Sequence, residues 1–128
     1  LPTYCYNLLG LGLAKVAGPT VLPPGTHQVR MEFTYDGEGL AKGGDVVLFT
    51  DGEQVADGRL EATVPLIFSG DETTDVGSDT GTSVSDDYSP DTSHFTGGIN
   101  WVILETGDDD HGHLISPEER FRLAMARQ

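Results

Sequence analysis

The sequence predicts an all-β protein, an antiparallel two-sheet sandwich of jelly-roll type with one short C-terminal α-helix. Three observations favour this class. The 128 residues include seventeen glycines and seven prolines, a composition typical of a turn-rich chain. Apolar and polar residues alternate over several short stretches, as they do in strands with one buried face. A clear helix-start signal occurs near the C-terminal end.

The amino-terminal half divides into short strands and turns. Residues 3–8 are aromatic and β-prone, and they predict the first strand. Prolines at 23 and 24 exclude their segment from a sheet interior. Alternation over residues 29–35 predicts a half-buried strand, and residues 46–49 predict a short buried one. The pair Asp-Gly at 51–52 is the strongest local hairpin signal, with a return strand through Val55.

The following segments alternate between turn and strand signals. Asp57 and Gly58 predict a second turn, and residues 60–68 predict another strand. Residues 69–93 show little periodicity, which is typical of a functional or a disordered loop. Residues 98–105 are apolar on both faces, so we expect a central strand with Trp101 in the core.

The C-terminal tail has the pattern of a helix start. Ser116 supplies an N-cap, Pro117 the first helical residue, and Glu119 the partner of a capping box. We therefore expect a β-sandwich domain over residues 1–107, an acidic linker over 108–115 and a helix over 116–128. Because the chain opens at Leu1 directly in a strand-like pattern, we also expect a piece of a longer protein.

Composition excludes several classes of partner. A pI near 4.3 and seven Lys and Arg residues argue against nucleic acid, and an anionic membrane surface would also repel the chain. The sequence contains no signal peptide and no membrane-spanning apolar run. Cys5 is the one cysteine, so an internal disulfide is excluded and the compartment stays undetermined.

The charge of the chain is concentrated in residues 69–115. This stretch holds eleven carboxylates and no Lys or Arg, and it supplies −11 of the net charge of −14. These negative charges either lie apart on solvated loops or surround a bound cation. We favour the solvated loops. Hard oxygen donors in an irregular loop suit calcium. The candidate ligands are Asp71, Glu72, Asp75, Asp79, Asp86 and Asp87.

Three other sequence features could indicate a functional site, but each is better explained by a structural role. His111 and His113 follow three aspartates, but such spacing is more typical of a solvated linker than of a transition-metal site. Cys5 has no activating histidine near it in sequence, and its Tyr-Cys-Tyr context is typical of a buried strand. The abundant acids also form carboxylate pairs by chance, so they do not indicate a glycosidase. We expect no catalytic residue and no independent enzymatic activity.

Several segments together resemble a known family. The order and spacing of these blocks resemble the C-terminal region of long bacterial arylsulfatases over nearly the whole chain. The matching blocks are residues 4–10 (YCYNLLG), 23–30 (PPGTHQVR), 42–44 (KGG), 48–52 (LFTDG), 75–82 (DVGSDTGT) and 95–97 (FTG).

The resemblance implies a domain that has no catalytic residues of its own. The parent family hydrolyses sulfate esters with a formylglycine made in the motif Cys or Ser, any residue, Pro or Ala, Ser, Arg, beside a calcium ion. That motif is absent here, and Tyr6-Asn7 after Cys5 excludes Cys5 from it. The blocks also resemble laminin-G-like jelly rolls, which implies a sandwich that begins partway, without its first strands.

Three functions from different classes stay open. The first is a non-catalytic accessory domain whose partner is an N-terminal sulfatase catalytic domain. The second is an independent calcium-dependent glycan-binding module, and the third is a structural or dimerisation domain that forms a homo-oligomer. An edge left open by missing strands favours pairing with another chain.

Overall fold

The computed structural model describes residues 1–65 and 74–106, in which five strands form two antiparallel sheets. The expected all-β class is confirmed at this level. A 3₁₀-helix over Pro90–Thr92 is the one helical element among these residues. The strands are β1 (Thr3–Asn7), β2 (Leu13–Ala17), β3 (Val29–Tyr35), β4 (Gly44–Thr50) and β5 (Glu53–Leu60).

The two sheets pack against each other through a small core. β1 pairs with β2, and the second sheet has the order β3-β4-β5. Alternation along β4 directs Val46 and Leu48 to the same face, where they meet Val16 of β2 and Leu60 of β5. These four side chains are at most 5% exposed. The strand β2 was not predicted from the sequence.

The hairpin between β4 and β5 forms where the sequence predicts it. Asp51 and Gly52 are the two turn residues, with φ angles of 51° and 88°. Positive φ at both positions defines a type I′ turn, whose twist matches that of the flanking strands. The ladder shifts register between Leu48 and Phe49, which leaves Val55 opposite no partner as a bulge.

The predicted turn at Asp57 and Gly58 is wrong, because β5 continues through both residues to Leu60. Gly58 lies opposite Val46 on the core face of the sheet. A Cβ atom at this position would lie 2.4 Å from Cγ2 of Val16. Glycine at this position therefore allows β2 to approach β5 closely. Close approach of another backbone is a known reason for glycine inside a strand.

Two further strand predictions differ from the structure. Over the described residues 61–65 no strand continues beyond Leu60, so the predicted strand 60–68 is wrong there; residues 66–68 lie outside the described residues. The strand predicted over 29–35 forms, but it is not half-buried. Val29 is 51% exposed and Phe33 38% exposed, because in the described part of the chain the smaller sheet packs through β2 on β5 and β4.

The chain divides into two compact units, residues 1–96 and 97–128. In the described part of the second unit, residues 97–106, the predicted central strand is wrong, since no strand is formed. Trp101 is 59% exposed there and is not a core residue. An apolar segment becomes a strand only when a neighbouring strand accepts its backbone hydrogen bonds, and none of the five described strands pairs with residues 97–106.

Some predictions fall outside the described residues. They are the acidic linker over 108–115, the helix over 116–128 with its Ser116 cap, and the histidines at 111 and 113. Within the described ranges, no helix has the length and apolar character that a membrane span requires.

Candidate functional site: a cleft between the first strand and the acidic loop

The described part of the acidic loop, residues 74–93, is attached to the smaller sheet by two long-range contacts. The side-chain amide of Asn7, at the end of β1, donates a hydrogen bond to the carbonyl of Val84 over 3.0 Å. The ammonium group of Lys15, in β2, forms an ion pair with the Asp87 carboxylate. This ion pair and the Ser85 hydroxyl lower the pKa of Asp87, and the same carboxylate raises the pKa of Lys15.

Side chains within the loop hold its backbone in place. The Ser85 hydroxyl donates to Asp87 over 3.0 Å, and Ser85 is a buried polar residue at 6% exposure. The Tyr88 hydroxyl donates to Asp79 over 2.5 Å and accepts the Val84 amide over 3.1 Å. The adjacent Asp79 carboxylate and partial burial raise the pKa of Tyr88. The phenol thus joins Asp79 and Val84 within the loop.

Other contacts close one short turn of the loop and join its two ends. The Asp75 carboxylate accepts both the amide and the hydroxyl of Thr80, over 2.9 and 2.8 Å. The Ser93 hydroxyl accepts the Asp79 amide over 3.0 Å, and the Phe95 amide donates to the carbonyl of Gly77 over 2.7 Å. The Asp75 and Ser93 side chains thus accept backbone amides where no sheet ladder is available.

The loop and β1 enclose an open cleft of about 620 Å³. A tyrosine lies on each side of it, Tyr6 from β1 and Tyr88 from the loop. The Tyr6 hydroxyl accepts the amide of Val64 over 2.7 Å, which fixes the ring at the cleft wall. The further lining residues are Cys5, Asn7, Leu9, Gly10, Val64, Asp75, Ser78, Asp79, Thr82, Ser83 and Val84.

Three of the four described calcium candidates are hydrogen-bonded within the chain. Asp75, Asp79 and Asp87 each accept hydrogen bonds from different groups of the chain, and Asp86 is exposed. Within residues 1–65 and 74–106, no group of three or more His, Cys, Asp or Glu side chains is arranged to hold a metal. Asp71 and Glu72 lie outside the described residues, so the calcium site stays a prediction.

The cleft contains carboxylates and hydroxyls but no obvious catalytic pair. Cys5 lines it and is half-buried, not enclosed in a strand core. The described residues that line the cleft include no histidine, lysine or arginine. A thiol nucleophile needs an adjacent base or a positive neighbour for activation. Lys15 lies opposite Cys5 in the β1–β2 pair, but its ammonium group forms an ion pair with Asp87. Asp75 and Asp79 give the cleft a negative character, which disfavours anionic ligands.

A second cleft, of about 440 Å³, lies between residues 18–27 and the β4–β5 turn. His27 and Asp51 line it, and their side chains form an ion pair. The hydroxyl oxygen of Thr50, which also lines it, is buried and has no hydrogen-bond partner among the described residues. Glu53 is the remaining titratable residue of its lining.

The acidic residues of the loop are evident in the sequence, but the groups that bind them are not. Asn7 and Lys15 carry no local signal of their role, because their partners are more than seventy residues away. One signal was available: Lys15 is one of only two lysines in a strongly acidic chain, so an acidic partner was to be expected.

Comparison of the chain with protein-family models, with curated proteins and with solved structures found no match in any of the three.

Proposed function

We propose that this chain is a non-catalytic accessory domain of an arylsulfatase, built as a sandwich of jelly-roll type. The observation that carries the proposal is the use of the loop carboxylates. Asp75 and Asp79 accept hydrogen bonds from Thr80 and Tyr88 within the loop, and Asp87 joins the loop to Lys15 of β2. We assign these carboxylates a structural role in the loop. The parent activity comes from the resemblance of the sequence blocks.

The negative charge of the domain is consistent with an accessory role and disfavours direct binding of the sulfate ester. The net charge is −14, and the cleft wall adds Asp75 and Asp79 without a cationic residue. A sulfate group bound there would lie among like charges. We therefore place the sulfate ester in a catalytic domain and assign to this domain the shaping of the substrate's approach or the stability of the whole enzyme.

A second candidate function, the alternative to the first, is an independent calcium-dependent module that binds neutral glycans. The observation that favours it is the cleft with Tyr6 and Tyr88 on its two sides. An open cleft with aromatic rings and hydroxyl-bearing side chains suits the apolar face and the hydroxyls of a sugar. This candidate needs no sulfatase partner, which separates it from the first.

The first experiment measures whether the isolated chain hydrolyses an aryl sulfate in excess calcium. We expect no phenol above the blank, because no formylglycine motif is present. Release of phenol at a rate proportional to the protein concentration would overturn the non-catalytic assignment. The Cys5→Ala variant is the matched control: activity that survives this substitution would come from a site other than the cysteine.

The second experiment tests the accessory role directly. The reading frame that encodes this chain is sequenced on the 5′ side of the Leu1 codon. We expect an in-frame sulfatase motif there. A start codon immediately before Leu1 would instead support the independent module, and binding of neutral oligosaccharides to the isolated chain, measured by calorimetry with and without calcium, would then test that function.

A further inference from the structure

The outer edge of β3 is open in the part of the chain that the structure describes. β3 lies at one end of the sheet and pairs with β4 on one side. The direction of its backbone groups follows from the two ends of the strand. At one end, the Gln28 carbonyl accepts the Asp51 amide over 2.9 Å; at the other, the Asp36 amide donates to the Gly43 carbonyl over 3.1 Å.

Even-numbered residues of β3 therefore direct their backbone groups toward β4. Because these groups alternate along a strand, Val29, Met31 and Phe33 direct theirs to the open edge. An edge of this kind is a template for another strand. The outward-facing groups belong to three apolar residues, so neither a proline nor an inward-pointing charge protects this edge.

The side chains of the same three residues extend the core face of the sheet. Met31 lies opposite Leu48 and Phe33 opposite Val46, so they share the face on which the core forms. They are nevertheless exposed: Met31 by 42%, Phe33 by 38% and Val29 by 51%. β3 thus combines an open hydrogen-bonding edge with an uncovered apolar face.

The charges on the opposite face of β3 make the strand complementary to itself. Arg30 and Glu32 lie on either side of Met31, and in the single chain they form an ion pair. The Arg30 guanidinium also lies 4.0 Å from the centre of the Phe49 ring. If two copies of β3 pair antiparallel about a twofold axis at Met31, each Arg30 lies opposite Glu32 of the second copy.

This register satisfies the backbone and the side chains together. Met31 faces Met31 of the second copy, and Val29 faces its Phe33, all at hydrogen-bonded positions because these residues direct their groups outward. Arg30 and Glu32 then occupy the non-hydrogen-bonded positions, where side chains lie closest. A shift of two residues either way would set Glu32 against Glu32, or Arg30 against Arg30, and like charges directly opposite are destabilising.

We propose that two copies of this chain associate through the outer edges of β3, in the register centred on Met31, to form one continuous six-stranded sheet. The partner is a second copy because the pattern Arg30-Met31-Glu32 complements its own reverse. This inference goes beyond the accessory role and does not depend on it.

The test is the mass of the full chain by sedimentation equilibrium over a range of concentrations, at about 0.15 M salt so that the long-range repulsion of two acidic chains is screened. We expect the wild-type mass to rise toward twice 13.7 kDa. The single variants Arg30→Glu and Glu32→Arg set like charges opposite each other, so each should dissociate at a concentration about tenfold higher.

Two further samples separate the register from a general charge effect. An equimolar mixture of Arg30→Glu and Glu32→Arg should regain association, because two arginines then face two glutamates across the mixed pair. The double variant R30E/E32R keeps the net charge and should associate like the wild type.

A wild-type chain that stays monomeric at all concentrations would overturn the proposal. Association of Glu32→Arg equal to or tighter than that of the wild type would also overturn it, since that variant is less acidic. Circular dichroism of each variant shows that the strands are retained.

Discussion

The imidazole of His27 lies between two acceptors, with the Asp51 carboxylate 2.7 Å from Nδ1 and the Pro23 carbonyl oxygen 2.9 Å from Nε2. Neither acceptor can donate a proton, so both ring nitrogens must carry one, and the imidazolium form fits this site. The Asp51 carboxylate and then the Pro23 carbonyl raise the pKa of His27. In turn, His27 and then the Gln28 amide lower the pKa of Asp51. The pair joins residues 18–27 to the β4–β5 turn.

The stability of the chain should depend on pH through this pair. Because the pKa of His27 is raised on folding, its contribution is complete below about pH 6.5, the unfolded value, and is lost as the pH rises through the folded pKa. The lowered pKa of Asp51 makes its contribution present above about pH 3.9 and lost as the pH falls through the folded pKa. The stabilisation is therefore largest between these limits.

The variant His27→Gln tests this dependence. Its melting temperature should fall below that of the wild type near pH 5.5, and the difference should shrink toward pH 9. His94→Gln, at an exposed histidine, is the control and should show no such change. A difference between wild type and His27→Gln that is constant over the whole range would mean that the imidazolium form is not the stabilising one.

The β4–β5 turn should be sensitive to a Cβ atom at Gly52. Gly52 has a φ of 88°, and a Cβ there would meet no heavy atom within 4 Å. A substitution by alanine would therefore destabilise the fold only through the unfavourable backbone conformation. Gly52→Ala should reduce the free energy of unfolding by about 1 kcal/mol. Gly12→Ala is the matched control, because that position is equally open but lacks a positive φ. Equal effects in chemical denaturation would remove the conformational explanation.

At Gly58 the expected cost is steric. An alanine Cβ would lie 2.4 Å from Cγ2 of the buried Val16, so β2 and β5 would have to separate. Gly58→Ala should lower the free energy of unfolding by about 1 to 3 kcal/mol, the usual range for overpacking. Val16→Ala removes the obstructing methyl groups. The double variant should therefore lose less than the sum of the two single losses, and strict additivity would show that the two residues do not meet.

For calcium, we expect the loop to respond as a solvated acidic segment. Asp75, Asp79 and Asp87 already accept hydrogen bonds from separate groups. Calcium chloride and sodium chloride at equal ionic strength should then raise the melting temperature equally, since screening depends on ionic strength alone. A larger shift in calcium that disappears in Asp71→Asn or Glu72→Gln would establish the calcium site by selective stabilisation of the folded chain.

The sequence by itself determined the features of this protein that depend on neighbours in the chain. The alternation over Val29–Tyr35 is that of a strand, and β3 forms there. Asp51 and Gly52 tolerate positive φ, and the hairpin turns at that point. In both cases the deciding energies, side-chain alternation and backbone conformational preference, act within a few residues.

The tertiary structure decided what depends on distant partners. Gly58 looks like a turn residue, yet it lies inside β5 because Val16 must approach it, and the alternating β3 stays exposed because the smaller sheet packs on its neighbours. The apolar residues 98–105 form no strand, since a strand needs a second chain segment to accept its hydrogen bonds. The ion pair between Lys15 and Asp87 spans 72 positions, so no local pattern encodes it. Packing and pairing are non-local, and only the folded chain brings these groups together.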